Sequence, residues 1–559
     1  MSIRVRFAPS PTGALHIGGV RTALYNYLLA KKHGGTFILR IEDTDQARFV
    51  PGAEEYIIEA LKWCGIEPTE GVGFGDGGYA PYRQSERKKL YQDYAMQLIN
   101  SGNAYYAFDT PAEIEAMRER LKNESNQAYS IATRGTMKNS LTLFEKEVKH
   151  LIDIGTPYVI RLKVPENQTV MIDDLIRHEV NFNTNELDDK VLLKNDGMPT
   201  YHLANIVDDY LMKITHVIRG EEWLPSAGHH VLIYKAFGWE KEMPRFAHLP
   251  LILKPDGKGK LSKRDGAKFG FPVFPLSWKG ATAEESFDGF REVGFDPKAV
   301  INFLALLGWN SGTDQEIFSM EELIEKFSIE KINNSGARFD YDKAKWFNHQ
   351  YIMHTPNEVL AKGLLNAIED LLKTNKDLLN AIKKKNLESN DESIKIIWMM
   401  NHNQPQPDLT NKFSKDSLAR FAGLMKERVT FFNEFLEKGY YFFKNVEVFD
   451  NENIKKRWKL ENRPKFEDLR LVFSNLDFND PLSMEHAVKE WINANGLKMG
   501  DVLPMLRIAL AGTMQGPAVF EMAALLGKKE VLERLTFAYD YFDKIVPSVP
   551  PSNLNHLTN

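Results

Sequence analysis

Cys64 is the single cysteine among 559 residues. That excludes an internal disulfide and a thiolate metal cage, and it suits a reducing compartment. No stretch is apolar for long enough to span a bilayer, and the first residues read as a strand rather than a signal peptide, so a cytoplasmic protein with no membrane role is expected. Net charge is only −5, so no uniformly basic surface points to a nucleic-acid partner. Any RNA contact has to come from local patches. There is no internal repeat and no low-complexity tail apart from Pro547–Pro551. The chain has an ordinary globular composition, long enough for roughly three or four domains.

Two short segments stand out against this background. Arg4–Phe7 alternates with period two and reads as a strand; Pro9, Pro11 and Gly13 then break it. Helical spacing follows over Val20–Lys32, with Leu24, Tyr27, Leu28 and the stem of Lys31 along one side. A strand, a tight loop and a helix start leave unpaired backbone N–H groups that attract anions. His16 stands at that mouth with a ring nitrogen able to donate to phosphate, and Gly18 and Gly19 leave room for a flat base. The second segment begins with the apolar run Leu249–Leu253. A glycine-containing loop then delivers Lys260, Lys263 and Arg264 within five residues. Cations so placed suit the charge that develops on a pyrophosphate leaving group. Together the segments suggest one nucleotide site built from distant pieces of chain.

APSPTG…HIGG (Ala8–Gly19) and KLSKR (Lys260–Arg264) resemble the HIGH and KMSKS elements of class I aminoacyl-tRNA synthetases. RIEDTD (Arg40–Asp45), YRQSER (Tyr82–Arg87), PTYHLANIVDD (Pro199–Asp209) and VIRGEEW (Val217–Trp223) follow in the family's order. The whole chain is similar to the bacterial-type glutamyl-tRNA synthetases, most strongly over about residues 1–345 and more loosely beyond. The stretch 373–412 reads as a variable insertion. The resemblance implies a Rossmann-type α/β catalytic domain split by an α+β insertion and followed by an all-α anticodon-binding region. Expected boundaries are 1–105 and 196–270 for the two catalytic halves, 106–195 for the insertion that binds the tRNA acceptor end, 271–345 for a helical stem-contact domain, and 346–559 for the anticodon region.

The resemblance also implies site residues. Arg6, Ala8, Ser10, Glu42, Tyr201, Asn205 and Arg219 match positions that hold glutamate. The charges agree, since a guest with two carboxylates and one ammonium suits Arg6, Arg219 and Glu42. Glutaminyl-tRNA synthetases lack an arginine at position 219. Pro9, Ser10, Gly13, His16, Gly18, Gly19, Glu222, Trp223, Leu261, Ser262 and Lys263 match the ATP site. His16, Lys260 and Lys263 are expected to carry catalysis. ATP arrives with Mg²⁺; the pair Asp208-Asp209 reads as structural rather than as a metal cage. No structural zinc is expected, because the stretch 104–109 offers Tyr105, Tyr106 and Phe108 where relatives place cysteines.

For RNA, Arg428 within Leu424–Phe435 resembles an arginine set against the third anticodon base. The lysine runs Lys383–Lys385 and Lys455–Lys459 and the aromatic runs Phe431–Phe432 and Tyr440–Phe443 are further candidates, with most of the aromatics expected in helix cores. The implied reaction is ATP-dependent formation of glutamyl-adenylate, then transfer to the terminal ribose of tRNA(Glu) by a monomer, with tRNA bound before activation. Three alternatives remain: an enzyme that also charges tRNA(Gln), a catalytically silent RNA-binding paralogue, and a nucleotidyltransferase acting on a smaller substrate.

Overall fold

The structure is a computed structural model that describes residues 2–123, 127–280, 282, 285–367 and 415–546. The expectations for 373–412, Lys383–Lys385 and Pro547–Pro551 fall outside those residues. The chain divides into two compact units, Met1–Phe347 and Asn348–Asn559.

In the first unit, β1 (Arg4–Phe7), α1 (Ile17–Lys32), β2 (Thr36–Leu39), α2 (Ala53–Trp63) and β3 (Glu70–Gly71) alternate. The strands lie parallel in the order β1–β2–β3. After α3 (Lys88–Asn100) come β4 (Ala104–Ala107), α4 (Pro111–Arg120), α5 (Ile131–Arg134), α6 (Glu145–Asp153), β5 (Val159–Leu162), the hairpin β6 (Thr169–Asp174) and β7 (His178–Asn183), and β8 (Val191–Leu193). Strands β4, β5 and β8 form an antiparallel sheet of their own. The α/β alternation resumes with α7 (Tyr201–Leu211), β9 (His216–Gly220), α8 (Ala227–Phe237), β10 (Arg245–Leu249), β11 (Ile252–Leu253) and α9 (Lys263–Phe269). One hairpin of the stretch 106–195 leaves its neighbours: β6 pairs with β10, giving a second sheet β7–β6–β10–β9. The helices α10 (Phe290–Val293), α11 (Pro297–Leu306) and α12 (Met320–Lys326) follow.

The parallel sheet β1–β2–β3 and the mixed sheet β7–β6–β10–β9 meet where β1 lies beside β9. Thr215 N donates to Arg4 O at 2.9 Å, and Arg4 N donates to Thr215 Oγ1 at 2.9 Å. Beyond that point the two strands share no ladder. Strand order runs outward in opposite directions from this junction, which makes it a topological switch point, where α/β folds place ligands at the carboxyl ends of the strands.

Helix α1 differs from the sequence expectation in two ways. It starts at Ile17 rather than Val20, because His16 caps it and thereby offsets the weak helix propensity of Gly18 and Gly19. It is also buried almost all round, since β1, β2 and β9 cover one side and α11 and α12 the other. Leu24 and Leu28 are fully buried, whereas Tyr27 is half-buried and Lys31 exposed.

A charged cluster ties the sheet to α7. Arg40, fully buried just past β2, reaches Asp209 at 2.8 Å, Glu42 at 3.1 Å and Asp208 at 3.8 Å. Asp208 also receives Arg87 at 2.9 Å, Tyr91 Oη at 2.7 Å and Gln84 Nε2 at 2.9 Å. Asp208 and Asp209 thus neutralise buried arginines, and removing one partner of such a group costs about 3–5 kcal/mol. In the β4–β5–β8 sheet, Tyr105 Oη donates to Asp189 at 2.6 Å, while Tyr106 stacks on Phe108 and meets Tyr158 edge-on.

The second unit is helical, with no strand among its described residues. Phe435, Tyr441, Phe442 and Trp458 lie in its core, and Phe431, Phe432, Tyr440 and Phe443 are half-buried around it. Lys455, Lys456 and Lys459 are exposed. Among the described residues, no helix is long and apolar enough to cross a membrane.

Candidate functional site

A cavity of about 550 Å³ opens at the carboxyl ends of β1 and β9, floored by the start of α1 and bordered by the loop leading into α9. Its walls include Arg6, Ala8, Pro9, Ser10, His16, Gly18, Gly19, Glu42, Tyr201, Asn205 and Arg219. Glu222, Trp223, Lys260, Leu261, Ser262 and Lys263 complete the expected set. Gly13 is not on the wall; a Cβ built there would lie 3.5 Å from Lys263 Nζ, and its φ of +130° favours glycine. Gly19 does not serve as a platform for a base alone, because a Cβ there would come within 2.5 Å of the protein's own Leu15 side chain. Arg428 lies in the second unit, where Nη1 donates to Leu424 O at 2.9 Å and the guanidinium sits 3.6 Å from Glu427. Arg264 is exposed and is not on the cavity wall.

At the phosphate end, His16 Nδ1 accepts from Gly18 N at 3.1 Å. A neutral imidazole that accepts at Nδ1 carries its proton on Nε2. Nε2 is buried and has no hydrogen-bond partner among the described residues, so it stands as a donor for a ligand oxygen. Burial, then the charges of Lys263 and Lys260, push His16 down to about 4, which keeps the ring neutral at physiological pH. The lysines arrive by separate routes. Ser262 and Asp265 form a capping box that starts α9 and sets Lys263 at its first position. Lys260 pairs with Glu222 at 2.7 Å; both side chains are about half exposed, so the pair is weak enough to part for a ligand.

The other end is built on Arg219, 5% exposed on β9. Its Nε donates to His248 Nε2 at 3.0 Å, and its Nη1 donates to Tyr201 Oη at 2.8 Å and to His230 Nδ1 at 3.2 Å. All three acceptors are neutral, and no carboxylate pairs with Arg219 among the described residues. Arg6 differs: its guanidinium is already held by Asp209 at 3.1 and 3.3 Å. Between the two, Glu42 accepts from Arg40 at 3.1 Å and from Asn205 Nδ2 at 3.1 Å. Burial raises its carboxyl, against the pull of Arg40 and Arg6, so an arriving cation would favour its ionised form. Trp223, at the exposed rim, packs against Tyr201 at a tilt of 35°, with ring centroids 4.3 Å apart.

Sequence reasoning missed His230, His248 and Arg40, which orient the expected residues, and Arg21, which lines the cavity while donating to Leu307 O at 2.9 Å and to Pro250 O. Only Arg40 carried a signal, as a charge at the end of an otherwise apolar strand. Among the described residues, no group of three or more His, Cys, Asp or Glu is placed to hold a metal.

The histidines set a pH dependence. Burial first, then nearby cations and imidazoles, lowers His202 to about 3 and His230 well below its usual value. An unfolded chain protonates its histidines near pH 6.5, so between there and about pH 3 it binds more protons than the folded one. Stability from these rings is complete above pH 6.5 and is lost as pH falls toward 3. Melting temperature is expected to drop between pH 7 and 5, with a shallower slope for His202→Asn. An identical slope in that variant would contradict the account.

A class I tRNA synthetase catalytic-domain model for the glutamate and glutamine enzymes matches residues 2–346, and an anticodon-binding-domain model matches residues 399–539. A glutamate–tRNA ligase of Phocaeicola vulgatus is 50% identical over 539 residues, covering 96% of this chain and 98% of that protein. One of Bacteroides thetaiotaomicron is 49% identical over 539 residues, covering 96% of this chain and 98% of its own. The crystal structure of a glutamate tRNA ligase from Elizabethkingia meningosepticum, in complex with its amino acid, superposes with a TM-score of 0.84 at 46% identity. That match covers 97% of this chain and 99% of the other.

Proposed function

This chain belongs to the class I tRNA synthetases for glutamate and glutamine, and from that membership we propose that it is a glutamate–tRNA ligase whose cavity joins L-glutamate to AMP before transfer to tRNA(Glu). One observation supports the choice of substrate above the rest: a buried guanidinium with no acidic partner shares a cavity with a donor imidazole and two lysines. A γ-carboxylate completes Arg219, whereas an amide leaves its charge unpaired. Glu42, with Asn205 and Tyr201, takes the ammonium group; Arg6, Ala8 and Ser10 line the α-carboxylate side. Pro9, Gly13, Gly18, Gly19, Glu222, Trp223, Leu261 and Ser262 surround the nucleotide.

An α-carboxylate oxygen attacks the α-phosphorus, the bond to the bridging oxygen of pyrophosphate breaks, and charge moves onto the leaving group. His16 Nε2–H, Lys263 and Lys260 meet that charge. The nucleophile is already an anion, so no side chain has to take its proton, and rate comes from alignment and fixed charge. Mg²⁺ enters with the ATP phosphates, as suits a hard cation held chiefly by substrate oxygens. We assign no structural zinc. The stretch 106–195 receives the acceptor end, 271–345 contacts the stem, and 346–559 reads the anticodon with Arg428 at its third base. The working form is a cytoplasmic monomer.

The test is ATP–pyrophosphate exchange with glutamate or glutamine, with and without each purified tRNA. Exchange with glutamate, enhanced by tRNA(Glu), is expected. Exchange with glutamine in its place would overturn the assignment.

A further inference from the structure

Three adjacent strands hold a polar chain behind Arg219. Asp174 ends β6, His248 lies on β10, and Arg219 lies on β9. All three are buried, at 1%, 0% and 5% exposure. Arg219 Nε donates to His248 Nε2 at 3.0 Å. A guanidinium has donors only, so Nε2 has to offer a lone pair and the ring proton has to sit on Nδ1. Nδ1 faces Asp174 Oδ2 at 2.6 Å. The other oxygen, Asp174 Oδ1, accepts three backbone N–H groups: Arg177 at 2.9 Å, Ile176 at 3.0 Å and His248 at 3.3 Å.

We propose that Asp174 is a positioning residue for amino-acid specificity: by accepting the Nδ1 proton of His248 it keeps Nε2 an acceptor and so aims Arg219, still unneutralised, at the substrate's distal carboxylate. This rests on the assignment of Arg219 to glutamate. A carboxylate touching Arg219 directly would orient it equally well but would cancel its charge and compete with the guest. An intervening neutral imidazole passes on direction without the charge. Burial, with the charges of Arg219 and Arg177, lowers His248 against the pull of Asp174, in keeping with a neutral ring.

The near-isosteric change Asp174→Asn tests this. Three N–H groups surround the Oδ1 position, so the asparagine carbonyl belongs there and its NH₂ turns to His248 Nδ1. That nitrogen then has to accept, the proton moves to Nε2, and two donors face each other at Arg219. A buried polar mismatch of this kind raises the glutamate KM about tenfold or more, with the ATP KM within about twofold and a smaller preference for glutamate over glutamine. Nitrogen-15 spectra of histidine-labelled full-length protein show the ring proton moving from Nδ1 to Nε2. His248→Leu raises the glutamate KM likewise, and His248→Gln, which restores an acceptor for Arg219, recovers at least part of that loss. Should Asp174→Asn fail to fold, equal KM values for His248→Leu and His248→Gln overturn the proposal. An unchanged glutamate KM in folded Asp174→Asn overturns it as well, provided Arg219→Ala raises that KM. If Arg219→Ala leaves it unchanged, the assignment of Arg219 falls instead, and this proposal with it.

Discussion

Arg219→Ala is expected to lower kcat/KM for glutamate by about two orders of magnitude or more while leaving the KM for ATP nearly unchanged. Removing one partner of a buried ion pair costs about 3–5 kcal/mol, because the other charge is left uncompensated. The loss therefore amounts to on the order of 3–5 kcal/mol, a factor of several hundred or more. The four groups that hold Arg219, Trp223 O at 3.5 Å among them, are neutral, so its removal strands no charge in the protein. Lysine is not expected to restore activity, because a single ammonium cannot meet both the carboxylate and the acceptors around it. Glutamine activation should fall far less, so the ratio of the two rates is the sharper readout. Steady-state exchange kinetics with varied glutamate, glutamine and ATP check this; equal losses for amino acid and ATP would remove Arg219 from the substrate pocket.

Lys263→Ala is expected to lower kcat for pyrophosphate exchange by roughly 10²–10³, with the glutamate KM little changed. Lys263 begins α9 and its Nζ comes close to Gly13, beside the buried Nε2 donor of His16. In the proposed mechanism both groups address charge that appears only as pyrophosphate departs, and interactions made more strongly in the transition state act on kcat. Burial lowers the Lys263 ammonium somewhat, without making it a base for this reaction. His16→Asn is the companion variant. Asparagine is a good N-cap and preserves the helix start, but it lacks the Nε2 donor. Removing both groups should cost less than the product of the separate losses, because they serve the same charge. A glutamate KM that rises as steeply as kcat falls would place Lys263 on the amino acid instead.

Local periodicity revealed some elements well. The apolar residues of Ala53–Trp63 recur at helical spacing and that span is α2, while Arg4–Phe7, read as a strand, is β1. The start of α1 was hidden because two glycines argue against a helix, and only the bond from Gly18 N to His16 Nδ1 reveals why they are tolerated. The stretch 106–195 was harder still. Whether β6 pairs with its sequence neighbours or with β10 is decided by a contact between distant segments, and alternation along one strand carries no record of it. That residues from distant segments gather on one cavity was legible because the family's motifs keep their order. Their supports were not: Asp209 beneath Arg6, or His248 beside Arg219, come from elements far away in sequence, and an isolated Asp or His looks the same whether it is buried or solvated.

The junction of β1 and β9 is stitched at the Thr215 end and parted at the other. Arg6 on β1 and Arg219 on β9 line the cavity on the two sides of that seam. A guest that fills it bonds to both lips, so occupancy and cohesion of the two half-sheets rise together. Catalytic competence and resistance to local opening are then two measures of the same seam, and a substitution that loosens one should loosen the other.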